Sequence, residues 1–197
     1  MRYCSEHKAQ TRERVLAAAA AAIRADGPER VSVAALMACA GLTHGGFYAH
    51  WPSKDAFLAD AIDRMFADGA ATYLADPDAD PREVLARYVD DYLSMTHRDG
   101  RARGCPAPTL AGEQHRLPEQ ARERFAAAIV RMIGRVGGLL ERGGIDEPQA
   151  RAASAVAEMV GAVALARVMA AEPAEALLAA ARRSVRAKLD LPASAAA

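Results

Sequence analysis

The sequence predicts an all-α protein, and three observations lead there. Slightly over half of the 197 residues are apolar but only 5% are aromatic, and alanine dominates the apolar set. Helix-favouring residues therefore far outnumber strand-favouring ones. Apolar positions recur at helical spacing in one segment after another, while no segment alternates well enough to be a strand. Gly, Pro, Ser and Asp divide these segments into pieces of helical length, about nine in all.

The first helix is expected from Lys8 to Ala25, where Val15, Leu16, Ala19, Ala22 and Ile23 share one stripe. Asp26-Gly27-Pro28 ends it, since glycine takes a left-handed C-cap and proline cannot continue a helix. Ser32 caps a short helix, VAALMACA, which Gly41 closes. Thr43 caps another, HGGFYAHW, stopped by Pro52. Ser53 caps a fourth with a wide apolar face of Phe57, Leu58, Ala61, Ile62, Met65 and Phe66. DPDADP (76–81) is the expected boundary between a domain at 8–68 and a larger one at 80–191.

Beyond it, a helix bearing Val84, Leu85, Tyr88, Val89 and Tyr92 is expected to run to Asp99-Gly100. RARGCP leads to a short helical piece around Pro108 to Gly112. A long helix from Pro118 to Arg142 repeats Ala121, Phe125, Ile129, Met132, Val136 and Leu140, then meets Gly143-Gly144. Another runs from near Asp146 to about Ala170. The last follows Pro173 and turns Leu177, Ala181, Val185 and Leu189 to the core.

Lys plus Arg equal Asp plus Glu at 25 each, so net charge points to no partner. Three cysteines (Cys4, Cys39, Cys105) without a CxxC argue against a disulfide framework or structural zinc, and for the reducing cytoplasm. The apolar run MVGAVALA (159–166) is far too short to cross a membrane, and MRYCSEHKAQTRER lacks the apolar centre of a signal peptide. There is no G-x-S-x-G, phosphate loop or HExxH, and Gly45-Gly46 does not follow a strand. Neither enzyme activity nor a cofactor or metal is expected.

Gly45-Gly46 is out of place by propensity alone, at a cost of roughly 1 kcal/mol per interior glycine. With Thr43 as N-cap, however, His44, Gly45 and Gly46 form the first turn, whose amides have no partner within the helix. Leu42 and Phe47 then occupy the two positions of a hydrophobic staple. A helix start bare of side chains can approach a phosphate or base edge closely, and its dipole favours an anion. A tight helix–helix contact that excludes a β-carbon would explain the glycines equally well.

The arrangement of short helix, glycine turn and second short helix is that of a helix-turn-helix. From TRERVLAAA through GPERVSVAALMACAGLTHGGFYAHWPSKDAFLADAI, the sequence closely resembles the TetR/AcrR family of transcriptional regulators. The likeness is strong over 8–68 and rests elsewhere on length and helical content. It implies a three-helix DNA-binding domain followed by a larger helical ligand-binding and dimerisation domain. Thr43, His44, Gly45, Gly46 and Tyr48 would face DNA. Tyr48 and His50 would lie near phosphates, with Lys54 and the Ser32 end of its helix binding others. Phe47 and Trp51 would be core. Two departures are Met37, where alanine or glycine is usual, and Trp51, where phenylalanine is usual. Since no Lys or Arg lies between Arg30 and Lys54, the commonest specific contact, arginine to guanine, is missing. The implied partners are double-stranded operator DNA, a second copy of the chain and a small-molecule inducer.

For the second half the resemblance implies a pocket enclosed by helices and a four-helix dimer interface built from the last two. Tyr73, Tyr88, Tyr92, Met95, His97, Cys105, His115, Phe125, Met132 and Met159 are candidates for the wall, and most of them serve equally as ordinary core. Cys105 stands apart: it follows a glycine, near Arg101 and Arg103 and just before a helix start. Such surroundings lower a thiol's pKa, although buried cysteines are usually inert. Both readings stand at this level.

Overall fold

The computed structural model describes residues 2–29, 32–39, 44–70 and 79–192, and every regular element among them is helical. The chain divides into two compact units: Met1–Asp68 with Arg101–Ala128, and Gly69–Gly100 with Ile129–Ala197. The segment expected to separate domains, 76–81, lies partly outside the described residues. Beyond it the chain does not stay in one unit, because residues 101–128 return to pack with the first helices.

The first unit holds α1 (Arg2–Asp26), α2 (Val33–Cys39), a 3-10 helix over His44–Ala49 and α3 (Lys54–Ala70). It also takes α6 (Ala107–Leu110), a second 3-10 turn (Gln114–Arg116) and the first part of α7 (Glu119–Arg142). α1 begins at Arg2 rather than Lys8, nothing in RYCSEH being a helix breaker. Of the expected stripe it buries Val15, Leu16, Ala19 and Ile23 and leaves Ala22 half-buried, while Phe57, Ile62 and Met65 of α3 are buried in the same unit. Met37 is fully buried there as well. Gly27, at φ +85°, closes α1 in the left-handed conformation as expected.

The segment expected to be α-helical through Trp51 is instead a six-residue 3-10 helix ending at Ala49, with His50 in a turn. The amides of His50 and Trp51 both donate to the Phe47 carbonyl, at 2.9 and 3.0 Å. Two early glycines and Pro52 leave too short a run for an α-helix to settle, and the tighter i→i+3 winding takes over.

In the second unit α4 (Pro81–Tyr92) packs on α9 (Ala171–Lys188), and α5 (Met95–Asp99) packs on both α9 and α8 (Pro148–Ala166). α8 and α9 lie along one another. The helix expected over 84–99 is therefore interrupted. Ser94 interrupts it, its hydroxyl donating to the Asp91 carbonyl at 2.7 Å and accepting the His97 amide at 3.1 Å as a new N-cap. α8 ends at Ala166, short of Ala170, and α9 begins at Ala171 with Pro173 inside its first turn, where a missing N–H costs nothing. Leu178, rather than Leu177, is the fully buried leucine of α9, beside Ala181, Val185 and Leu189.

Helix C-termini leave carbonyls without intrahelical partners, and here arginines from neighbouring elements supply them. Arg98 donates to Ala166 and Met169 carbonyls beyond α8 at 2.8 and 2.6 Å, and Arg167 to the Arg98 carbonyl in α5 at 3.3 Å. Arg182 reaches the Leu93 carbonyl after α4 at 3.1 Å, and Arg151 the Lys188 carbonyl ending α9 at 3.1 Å. A cation at a helix C-terminus is favourable to the dipole as well as to the hydrogen bond.

Candidate nucleic-acid interface

The candidate surface is built on an aromatic cluster. Phe47, Trp51 and Phe57 are at most 2% exposed. Their ring centres lie 5.5 Å (Phe47–Trp51), 5.5 Å (Phe47–Phe57) and 4.9 Å (Trp51–Phe57) apart. Large rings at these distances supply most of what holds a short helix that could not stand alone. On its outer side Tyr48 is 63% exposed, its ring edge-on to Phe47 at 5.4 Å.

The flanking helix starts are capped as the sequence suggested. Ser32 accepts the Ala35 amide at 3.4 Å and Ser53 the Ala56 amide at 3.1 Å. Ser32 and Lys54 are exposed, Gly46 and His50 half-buried. Of His44 and Gly45 only the backbone course is described, and Thr43 lies outside the described residues. His50 carries a buried Nδ1 without a hydrogen-bond partner among the described residues. Burial first, then the charges of Lys8 and Arg12, push its pKa below the ordinary 6.5. At neutral pH the ring is uncharged.

The candidates for the sensor wall fall in both units. In the second, Tyr88, Tyr92 and His97 form one run, with ring centres 5.7 and 4.5 Å apart. Met132 and Met159 are buried in the same unit. In the first, Phe125 is buried against Phe66 at 5.6 Å, Cys105 is half-buried, and His115 is exposed on the second 3-10 turn. The helix after Cys105 has only four residues, and Arg101 and Arg103 are exposed. Among the described residues, no three His, Cys, Asp or Glu side chains gather as metal ligands, and no helix is long and apolar enough to cross a membrane.

Residues 15–61 match the family model for bacterial regulatory proteins of the tetR family. Residues 81–183, more than half of the chain, match that for the C-terminal domain of LmrA/YxaF-like transcriptional regulators. The chain belongs to the TetR family of transcriptional regulators. Solved structures agree on the fold. The reduced form of E. coli NemR is 23% identical, covering 95% of this chain and 100% of that one with a TM-score of 0.78. A TetR regulator from Chloroflexus aurantiacus is 27% identical over 94% and 96%, with a TM-score of 0.76. One from Agrobacterium tumefaciens is 21% identical over 93% and 97%, also at 0.76. No curated protein matches significantly.

In this TetR-family chain the C-terminal match includes residues 101–128, which pack in the unit that carries the reading helix. Arg116–Glu29 and Arg124–Asp63 are among their polar ties, and the most buried is Arg24, a residue that the sequence alone did not single out. It is 4% exposed and donates to the Ala102 carbonyl at 2.8 Å, the Met65 carbonyl at 3.1 Å and the Asp68 carboxylate at 3.2 Å. Thr109 in turn donates to the Arg24 carbonyl at 3.2 Å. The available signal was an arginine directly after core Ile23, at a helix C-terminus.

His97 leads to a stability prediction. Its Nδ1–H donates to the Tyr92 carbonyl at 2.7 Å. Burial, and then the charge of Arg167, hold its pKa below 6.5 against the raising effect of that carbonyl. Below 6.5 the unfolded chain takes up the proton first, so this contribution to stability is present above that pH and fades as pH falls toward the folded pKa. Urea midpoints measured from about pH 7 to about pH 5 should fall less steeply for His97→Gln than for the parent. Parallel curves would remove His97 from the acid response.

Proposed function

We propose that this regulator binds a near-palindromic operator as a homodimer, represses transcription there, and leaves when a small molecule fills the sensor helices. The observation that carries the reading is Tyr48, 63% exposed on a short helix whose inner side is clamped by three buried aromatic rings. An aromatic side chain so displayed, with Lys54 also exposed, suits a duplex backbone. Ser32, Thr43, His44, Gly45, Gly46, Tyr48, His50 and Lys54 are the proposed contacts, phosphates positioning the protein and the glycine-bared helix start meeting base edges.

Without an arginine in the reading helix, one copy holds DNA weakly, and two-fold symmetry doubles every contact. A face for that pairing is present in the second unit. α8 leaves Ala153, Ala157 and Leu165 exposed, with Val168 82% exposed just beyond it, and α9 leaves Ala176 and Ala180 exposed. Small side chains in such rows let helices approach closely.

The test is a mobility shift on the DNA preceding its own gene. Tyr48→Ala and Lys54→Ala should each weaken binding to operator and random duplex alike, by about 3- to 30-fold, because phosphate contacts carry little sequence information. Full affinity in both variants would discard these assignments. Failure of the parent on every duplex would favour a helical ligand-binding protein without a DNA function.

The inducer in this reading is a reversibly bound, largely apolar molecule against the Tyr88, Tyr92 and Met159 side of the second unit. A second reading makes Cys105 the trigger, favoured by its position three residues beyond the carbonyl that Arg24 holds. Mild peroxide or an alkylating electrophile should then abolish operator binding in the parent and leave Cys105→Ser unresponsive. Release of both alike, or of neither, returns Cys105 to a packing role.

A further inference from the structure

One carboxylate oxygen ties the end of the reading helix to both scaffold helices. The Trp51 indole N–H donates to Asp60 Oδ2 of α3 at 3.0 Å. Arg12 of α1 pairs through Nη2 with the same oxygen. The Arg12 guanidinium carbon also lies 5.1 Å from the centre of the Trp51 ring, within range of a cation–π contact. Three elements thus close on a single atom. Asp60 and Arg12 are only partly exposed, at 28% and 38%.

We propose that Asp60, through Trp51 and Arg12, is the positioning residue that sets the orientation of the reading helix, and so determines sequence specificity. This rests on the operator reading above. The aromatic cluster alone does not define that orientation. Phe47, Trp51 and Phe57 meet by ring faces and edges, contacts that tolerate sliding, and a phenylalanine at 51 would keep most of them. The indole N–H is superfluous to packing. What it adds is direction: a donor of fixed geometry at the C-terminal end of a six-residue helix, aimed at a carboxylate that α1 holds in place. Base readout needs the contacting groups held within roughly 0.5 Å, which a supporting hydrogen bond provides and an apolar contact does not. Phosphate contacts are far more tolerant. Losing this tie should therefore harm discrimination before affinity.

The experiment compares operator and random duplex affinities for the full-length parent, Asp60→Ala and Trp51→Phe. For Trp51→Phe, which removes the N–H and no charge, random-duplex affinity should stay within about twofold while the operator-to-random ratio falls about tenfold or more. Asp60→Ala should lower the ratio at least as far and strengthen random binding, since it deletes a negative charge. The double variant should lose little more than Asp60→Ala alone, the two sharing one interaction. Trp51 is the only tryptophan, so its single indole N–H resonance reports the bond without DNA. It should move upfield in Asp60→Ala. An unmoved resonance, or a ratio retained in both variants while the parent discriminates, overturns the proposal and leaves Asp60 as packing. A parent that prefers no duplex over random DNA overturns the operator reading itself, and this role with it.

Discussion

Arg24→Ala should lower the melting temperature by on the order of 10 °C, more than any surface change in the first unit. The guanidinium is 4% exposed and makes three hydrogen bonds, to two carbonyls and a carboxylate on two other segments. Removing it takes a donor from the carbonyls of Met65 and Ala102 and opens a gap at the end of α1. Asp68 fares better, because Arg64 still pairs with it at 2.6 Å. Losing three charge-assisted hydrogen bonds from a buried guanidinium costs about 3 kcal/mol together. A chain of this length loses roughly 2–4 °C per kcal/mol. Lysine should not rescue the variant, since one ammonium cannot reproduce a planar fork serving three acceptors. Calorimetry decides it: a melting temperature within about 2 °C of the parent would mean that water replaces the guanidinium freely.

Gly161→Arg should convert the protein to a monomer and reduce operator affinity by about 100-fold or more, while leaving each copy folded. A β-carbon at Gly161 meets nothing within 4 Å in the isolated chain, so a side chain there has room. Leaving glycine in a helix interior even gains up to about 1 kcal/mol. Within a four-helix interface made by two copies, the same position would bury an unpaired charge between closely approaching backbones. Two linked reading heads bind far more tightly than one, and that advantage disappears with the dimer. Light scattering and a mobility shift on one preparation test both halves. A dimeric variant with parental affinity would remove α8 from the interface, whereas a monomer that still binds operator tightly would remove dimerisation from the DNA-binding reading.

The features legible in the sequence are those determined by residues a few positions apart. The helical stripes of α1, α3 and α7, the serine caps at Ser32 and Ser53, and the left-handed glycine after α1 all follow from local rules. So does Gly144, at φ +70°, after α7. The motif from Gly41 to Lys54 carried the family resemblance in the same way, because the spacing of staple, glycines, tyrosine and cap is itself local.

What the tertiary structure decided depends on partners far away in the chain. The return of 101–128 to the first unit is invisible to periodicity, since each of its helical pieces reads the same wherever it docks. The arginines show the point most clearly. Counted in sequence together with the lysines they cancel the acids at 25 against 25 and point to no partner. In the fold Arg24, Arg98, Arg151, Arg167 and Arg182 donate to backbone carbonyls, most of them at helix ends 37 to 89 residues away. A guanidinium on a long flexible stem has no local preference among such acceptors. Only the packed helices bring their free carbonyls within its reach.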